Sequence, residues 1–73
     1  MFETRDINDL IRLANAGGGW EMEAGLKSTN DLVRLANAAG GKGRLVLSGM
    51  AMRPNDDLIR IANAGKGSVF FKP

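Results

Sequence analysis

Seventy-three residues without one cysteine, histidine or tyrosine exclude disulfides, thiolate or imidazole metal sites and imidazole acid–base chemistry. The net charge of +2 is too small to name a partner, but it is polarised: residues 1–25 carry −3 and residues 26–73 carry +5. Such asymmetry attracts nucleic acid or pairs one end of a fold with another.

No apolar run approaches the ~18 residues of a membrane span. The first nine residues are polar and acidic, unlike a secretory leader, and the missing cysteines fit a reducing compartment. A cytoplasmic chain is expected, with no membrane contact, metal or cofactor.

One ten-residue phrase organises the chain. It reads NDLIRLANAG from Asn8 to Gly17, NDLVRLANAA from Asn30 to Ala39 and DDLIRIANAG from Asp56 to Gly65, with starts 22 and 26 residues apart. Self-similarity of this kind marks one supersecondary unit stacked on copies of itself. A single domain of three repeats, about 6–25, 28–49 and 54–72, is expected. The period is close to that of leucine-rich repeats, but their regularly spaced leucines ending in Asn are absent.

In chain order, the first helix places Ile7, Leu10, Ile11 and Ala14 at i, i+3, i+4 and i+7 on one face, with Leu13 widening the stripe. Asp6 is positioned to cap it, and Gly17 to stop it. A strand follows over Trp20 to Ala24, with Trp20, Met22 and Ala24 on one side and Glu21 and Glu23 on the other. The second helix turns Leu32, Val33, Leu35 and Ala36 inward, between a cap at Thr29 and a stop at Gly40. Its strand, Arg44 to Gly49, points Leu45 and Leu47 inward and Arg44, Val46 and Ser48 outward. The third helix buries Leu58, Ile59, Ile61 and Ala62 between Asn55 and Gly65. The last strand, Ser68 to Lys72, turns Val69 and Phe71 inward and Ser68, Phe70 and Lys72 outward. Asp9, Asp31, Asp56 and Asp57 lie near the positive helix ends.

Two strands joined by one helix run parallel. The predicted fold is therefore α/β: three tandem helix-turn-strand repeats in two layers, with a three-stranded parallel sheet in order 1-2-3 and all three helices on one face. A closed, roughly threefold arrangement of the same units is the alternative. The open arrangement leaves one sheet face bare, which parallel sheets seldom tolerate, and makes the aromatic third strand an edge. A homodimer is expected through that face, where Val46 and Phe70 are apolar, or through the third strand.

The glycine loops after each helix do not read as phosphate loops, which follow a strand and open a helix so that the positive helix end faces the anion. Lys66 to Phe71 distantly resembles the basic-glycine-aromatic strand of RNA-recognition domains. Only one strand here carries aromatics on that face, and the helix–strand order differs, so an apolar C-terminal strand is the expectation.

Arg12, Arg34 and Arg60 recur at one helical position, and Asn15, Asn37 and Asn63 three residues later. Side-by-side helices align them into a row suited to phosphates and base edges, or to an acidic protein surface. The competing reading pairs the arginines with Asp9, Asp31 and Asp57 and spends each Asn on the loop it precedes. Glu21 and Glu23 share a strand face, but cross-strand pairing with Arg44 or Lys72 is simpler than catalysis. The C-terminal edge of the strands, near Ala24 to Lys27 and Gly49 to Pro54, is where open parallel sheets bind ligands, yet no constellation there would act on one.

The expected function is that of a non-enzymatic interaction module that self-associates and contacts another protein. The alternative is weak nucleic-acid binding through the Arg row and the basic C-terminal two-thirds.

Overall fold

The computed structural model describes residues 2–73, apart from the side chain of Glu3. A single 3-10 turn, Phe2–Thr4, precedes three helix–strand units: α1 (Ile7–Asn15) and β1 (Trp20–Glu23), α2 (Thr29–Ala39) and β2 (Leu45–Ser48), α3 (Asn55–Gly65) and β3 (Val69–Lys72). The strands form one parallel sheet in order β1-β2-β3. Trp20, Leu45 and Val69 stand abreast, as do Met22, Leu47 and Phe71. The α/β fold and strand order are those predicted from the repeats; the closed threefold alternative is not adopted.

The core lies between the sheet and the helix layer. Leu10, Ala14, Leu32, Leu35, Ala36, Ala39 and Ile61 from the helices meet Met22, Leu45 and Leu47 from the strands in one cluster. In the helix layer α2 is the middle member, packed against both α1 and α3. No helix among the described residues is long and apolar enough to cross a membrane.

Local signals mostly act as expected, with instructive shifts. Asp6 caps α1 by accepting from the Asn8 amide at 3.0 Å. In the second unit the cap is Ser28, which accepts from the Asp31 amide at 3.1 Å, and not Thr29, whose hydroxyl is drawn into a contact with the third unit. Pro54 stands at the equivalent place before α3, where no side chain caps, so Asn55 is the first helical residue rather than the cap. Among the predicted stops, Gly17 is left-handed at φ 96°, but the role passes from Gly40 to Gly41 (φ 75°) and from Gly65 to Lys66 (φ 48°). Gly65 has another duty: it is buried under β3, and a Cβ there would stand 2.5 Å from Val69 Cγ2. The consecutive turns also touch backbone to backbone. A Cβ on Gly43 would fall within 3.0 Å of the Gly18 carbonyl group, so that turn glycine serves close approach between units.

Burial follows position in the stack. The sixth residue of the phrase is completely buried in the second and third copies (Leu35 and Ile61, both 0%) but 39% exposed as Leu13 in the first. The fourth and seventh residues behave oppositely. Ile11 and Val33 are half-buried and Ala14 and Ala36 buried, whereas Ile59 is 55% exposed and Ala62 is open to solvent. Each helix thus has a leading flank covered by the preceding unit and a trailing flank covered by the next. Leu35→Ala should cost about 2–5 kcal/mol, the range for cavities in packed cores. Leu13→Ala, at the same phrase position, should cost less than about 1 kcal/mol because little packing is lost. Urea denaturation of the two variants tests the difference.

Candidate functional site

The uncovered face of the sheet carries Glu21 and Glu23 on β1, Val46 and Ser48 on β2, and Phe70 and Lys72 on β3, with Arg44 just before β2. Phe70 is 47% exposed and Val46 half-buried. The two are register partners on adjacent strands, which makes a small apolar strip. Lys72 Nζ donates to Glu21 Oε2 at 2.6 Å, joining the two edge strands across the middle one. The Arg44 guanidinium lies 5.1 Å from the centre of the Phe70 ring, within cation–π range. A shallow depression of about 310 Å³ beside Val46 is lined by Gly19, Trp20 and Arg44.

Glu21 and Glu23 do not converge as a carboxylate pair. Glu21 turns toward Lys72, whereas the carboxylate of Glu23 lies over the turn glycines, where a Cβ on Gly25 would stand 2.7 Å from its Oε2.

The helix row is only partly a free surface. Arg34 Nη2 donates to Asn8 Oδ1 of the preceding helix at 3.3 Å, and Arg60 Nη2 donates to Asn30 Oδ1 at 3.1 Å. These are equivalent contacts, one per junction between neighbouring copies. Of the three expected Asp–Arg pairs along the helices, only Asp31–Arg34 forms among the described residues, at 3.5 Å. Arg12, with no preceding copy, has no side-chain partner among the described residues.

The Asn row departs from the expected loop-capping role. Asn15, Asn37 and Asn63 are all exposed, and their side-chain amides have no hydrogen-bond partner among the described residues. The loops are held otherwise: Lys42 Nζ donates to the backbone carbonyl of Asn15 at 3.1 Å, and the Gly41 amide donates to Ser68 Oγ at 3.2 Å. Between α1 and α2, Asn15, Arg34 and Asn37 come together around a groove of about 310 Å³ with Ile11 and Ala38. Arg60 and Asn63 lie beyond that groove, and Arg12 sits on the far flank of α1, beside Arg5, Asp9 and Leu13.

Sequence reasoning missed Arg53. Its Nη1 donates to Thr29 Oγ1 at 2.8 Å, and its Nη2 reaches the carbonyl oxygens of Ala24 (3.0 Å), Gly25 (3.4 Å) and Lys27. Thr29 Oγ1 in turn donates to Asp57 Oδ2 at 3.3 Å. One guanidinium therefore clips the turn after β1 to the turn before α3, at the strand C-terminal edge where ligand binding is common in other open sheets. The phrase alignment places Lys27 and Arg5 at the same position, which is the sequence signal for a basic residue there.

No protein-family model matches the chain, and no curated protein or solved structure shows significant similarity to it.

Because Arg53 makes charge-assisted bonds to several acceptors, Arg53→Ala should destabilise by about 2 kcal/mol or more. Arg53→Lys should recover less than half, since one ammonium cannot reproduce the planar fork. Thermal and urea unfolding of both variants measure this.

Proposed function

We infer that the chain is a non-enzymatic interaction module, working in the cytoplasm, whose first partner is a second copy of itself docked through the uncovered sheet face. The observation that carries this is the bare face of a parallel sheet, with half-exposed Phe70 beside Val46. Burying that strip removes apolar surface from water at about 25 cal/mol per Å². The surrounding charges favour a two-fold arrangement. Acidic Glu21 and Glu23 occupy one edge strand and Lys72 the other, so two sheets laid face to face with their strand order reversed place acid over base.

A further protein is met at the helix layer, where the side-chain amides of Asn15 and Asn37, without a partner among the described residues, flank the groove beside Ile11 and Ala38. Catalysis has less support. The two carboxylates on one strand face turn apart, and the depressions on the surface are shallow. The nucleic-acid reading is also weakened, because Arg34 and Arg60 are engaged with Asn8 and Asn30 instead of standing free for phosphates.

Sedimentation equilibrium should show reversible dimerisation at micromolar to high micromolar concentration, weakened at least tenfold by Phe70→Glu with the circular dichroism spectrum unchanged. A monomer at high micromolar concentration overturns the reading. Binding to DNA or RNA that falls steeply with salt would favour the nucleic-acid alternative.

A further inference from the structure

We propose that copies of this chain also dock end to end, the outer flank of α3 on one copy against the outer flank of α1 on the next, continuing the stacking that joins the repeats within the chain. The proposal rests on the reading of the protein as a self-associating module but names a different surface from the sheet face.

Two halves of a junction are left over at the ends of the stack. Inside the chain, each junction puts the arginine of one helix against the first phrase residue of the helix before it: Arg34 on Asn8, and Arg60 on Asn30. The leftover donor is Arg12. The leftover acceptor is the first phrase residue of the third copy, and there the sequence has Asp56 in place of Asn. Asp56 is exposed and has no side-chain partner among the described residues. The acceptor that would meet an arginine from outside the chain is thus the one carrying a negative charge, and the arginine without an internal acceptor lies at the opposite end.

The apolar residues are matched in the same way. Leu13 is 39% exposed although its counterparts Leu35 and Ile61 are completely buried, and Ile59 is 55% exposed where Ile11 and Val33 are half-buried. Terminal repeats of stacked proteins ordinarily turn a polar face outward; here both helix flanks keep the residues of an internal junction. Arg5, Asp9, Arg12 and Leu13 surround a depression of about 420 Å³ on the α1 flank, and Ile59 stands out from the α3 flank near Asp56. The 3-10 turn covers the sheet side of the α1 end, where Phe2 stacks on Trp20 at 5.4 Å. The contact is accordingly made through the helix layer.

Charge reversal tests this with little risk to the fold, because neither Arg12 nor Asp56 holds another described side chain. Arg12→Asp sets two carboxylates against each other at the contact, and Asp56→Arg sets two guanidinium groups. In a background of Phe70→Glu, which removes the sheet-face contact, sedimentation velocity should still show association. Each single reversal should weaken it at least tenfold, and the chain carrying both should regain it. Association that ignores the single reversals, or is lost in them and not regained in the double, overturns the end-to-end contact. So does a monomer in the Phe70→Glu background alone, which would leave the sheet face as the sole self-association surface. Persistence of undiminished association in Phe70→Glu, with loss and recovery in the reversals, would instead support the end-to-end contact and reject the sheet face.

Discussion

Each helix of this chain is apolar on more of its circumference than a sheet alone can cover, and a neighbouring helix covers the remainder only on the flanks that face another copy of the unit. That constraint shapes the rest. A helix laid on a sheet buries one stripe. The phrase adds Leu13, Leu35 and Ile61 on the leading side and Ile11, Val33 and Ile59 on the trailing side. Only α2 receives a neighbour at both flanks, and it contributes four buried residues where α1 and α3 contribute two each. Stability in such a stack is a sum of units and of the interfaces between them. The Arg–Asn contacts, the Arg53 clip and the touching turns all lie at those interfaces rather than within units.

The strands carry what the helices do not. The helical phrase is almost invariant, whereas the strands read WEME, LVLS and VFFK. Of their inward residues, Trp20, Met22, Leu45, Leu47 and Val69 join one core, whereas Phe71, expected to point inward, is 39% exposed. Their outward residues change character, from acidic through neutral to aromatic and basic. The Lys72–Glu21 bridge spans the sheet because the middle strand puts Val46 and Ser48, short side chains, between them. Exposed pairs of this kind are worth less than about 1 kcal/mol, so the bridge orients the long side chains more than it stabilises the sheet.

Much of this was legible in the residues. Periodicity of 3.6 followed by alternation of 2 located the three helices and three strands to within a residue or two, and one helix between strands required parallel pairing. The shifts arose where tertiary contact outbid local preference. Thr29 is a good cap by type, but its hydroxyl is taken by Arg53 and Asp57, and Ser28 caps instead. Gly65 looked like a stop, but the close approach of Val69 keeps it inside α3 and passes the left-handed turn to Lys66. The recurring basic position of Arg5, Lys27 and Arg53 is visible in the sequence, but the role of Arg53 is not, because its acceptors are mainly backbone carbonyls, which leave no mark in a sequence. The Arg row was seen and its partners were not. The acceptors are the first residues of the phrase on the neighbouring helix, a pairing that depends on how far one helix is displaced along the next.

The two proposed self-association surfaces differ in kind. A sheet face set against itself is a contact between like patches, and it closes at two copies. The two flanks of the helix layer are unlike, and a contact between unlike patches repeats until it meets a cap or closes as a ring. The charge polarity of the chain serves both geometries differently. In the proposed face-to-face pair it would select the reversed strand order, because an unreversed order sets the acidic strand β1 over its own copy. In the proposed end-to-end contact it would set the basic trailing two-thirds of one copy against the acidic leading third of the next. Asp56 stands where the first two copies have Asn, and its side chain has no partner among the described residues. Its charge lies in the first turn of α3, near the positive helix end, and the proposed contact would add an arginine from a second copy.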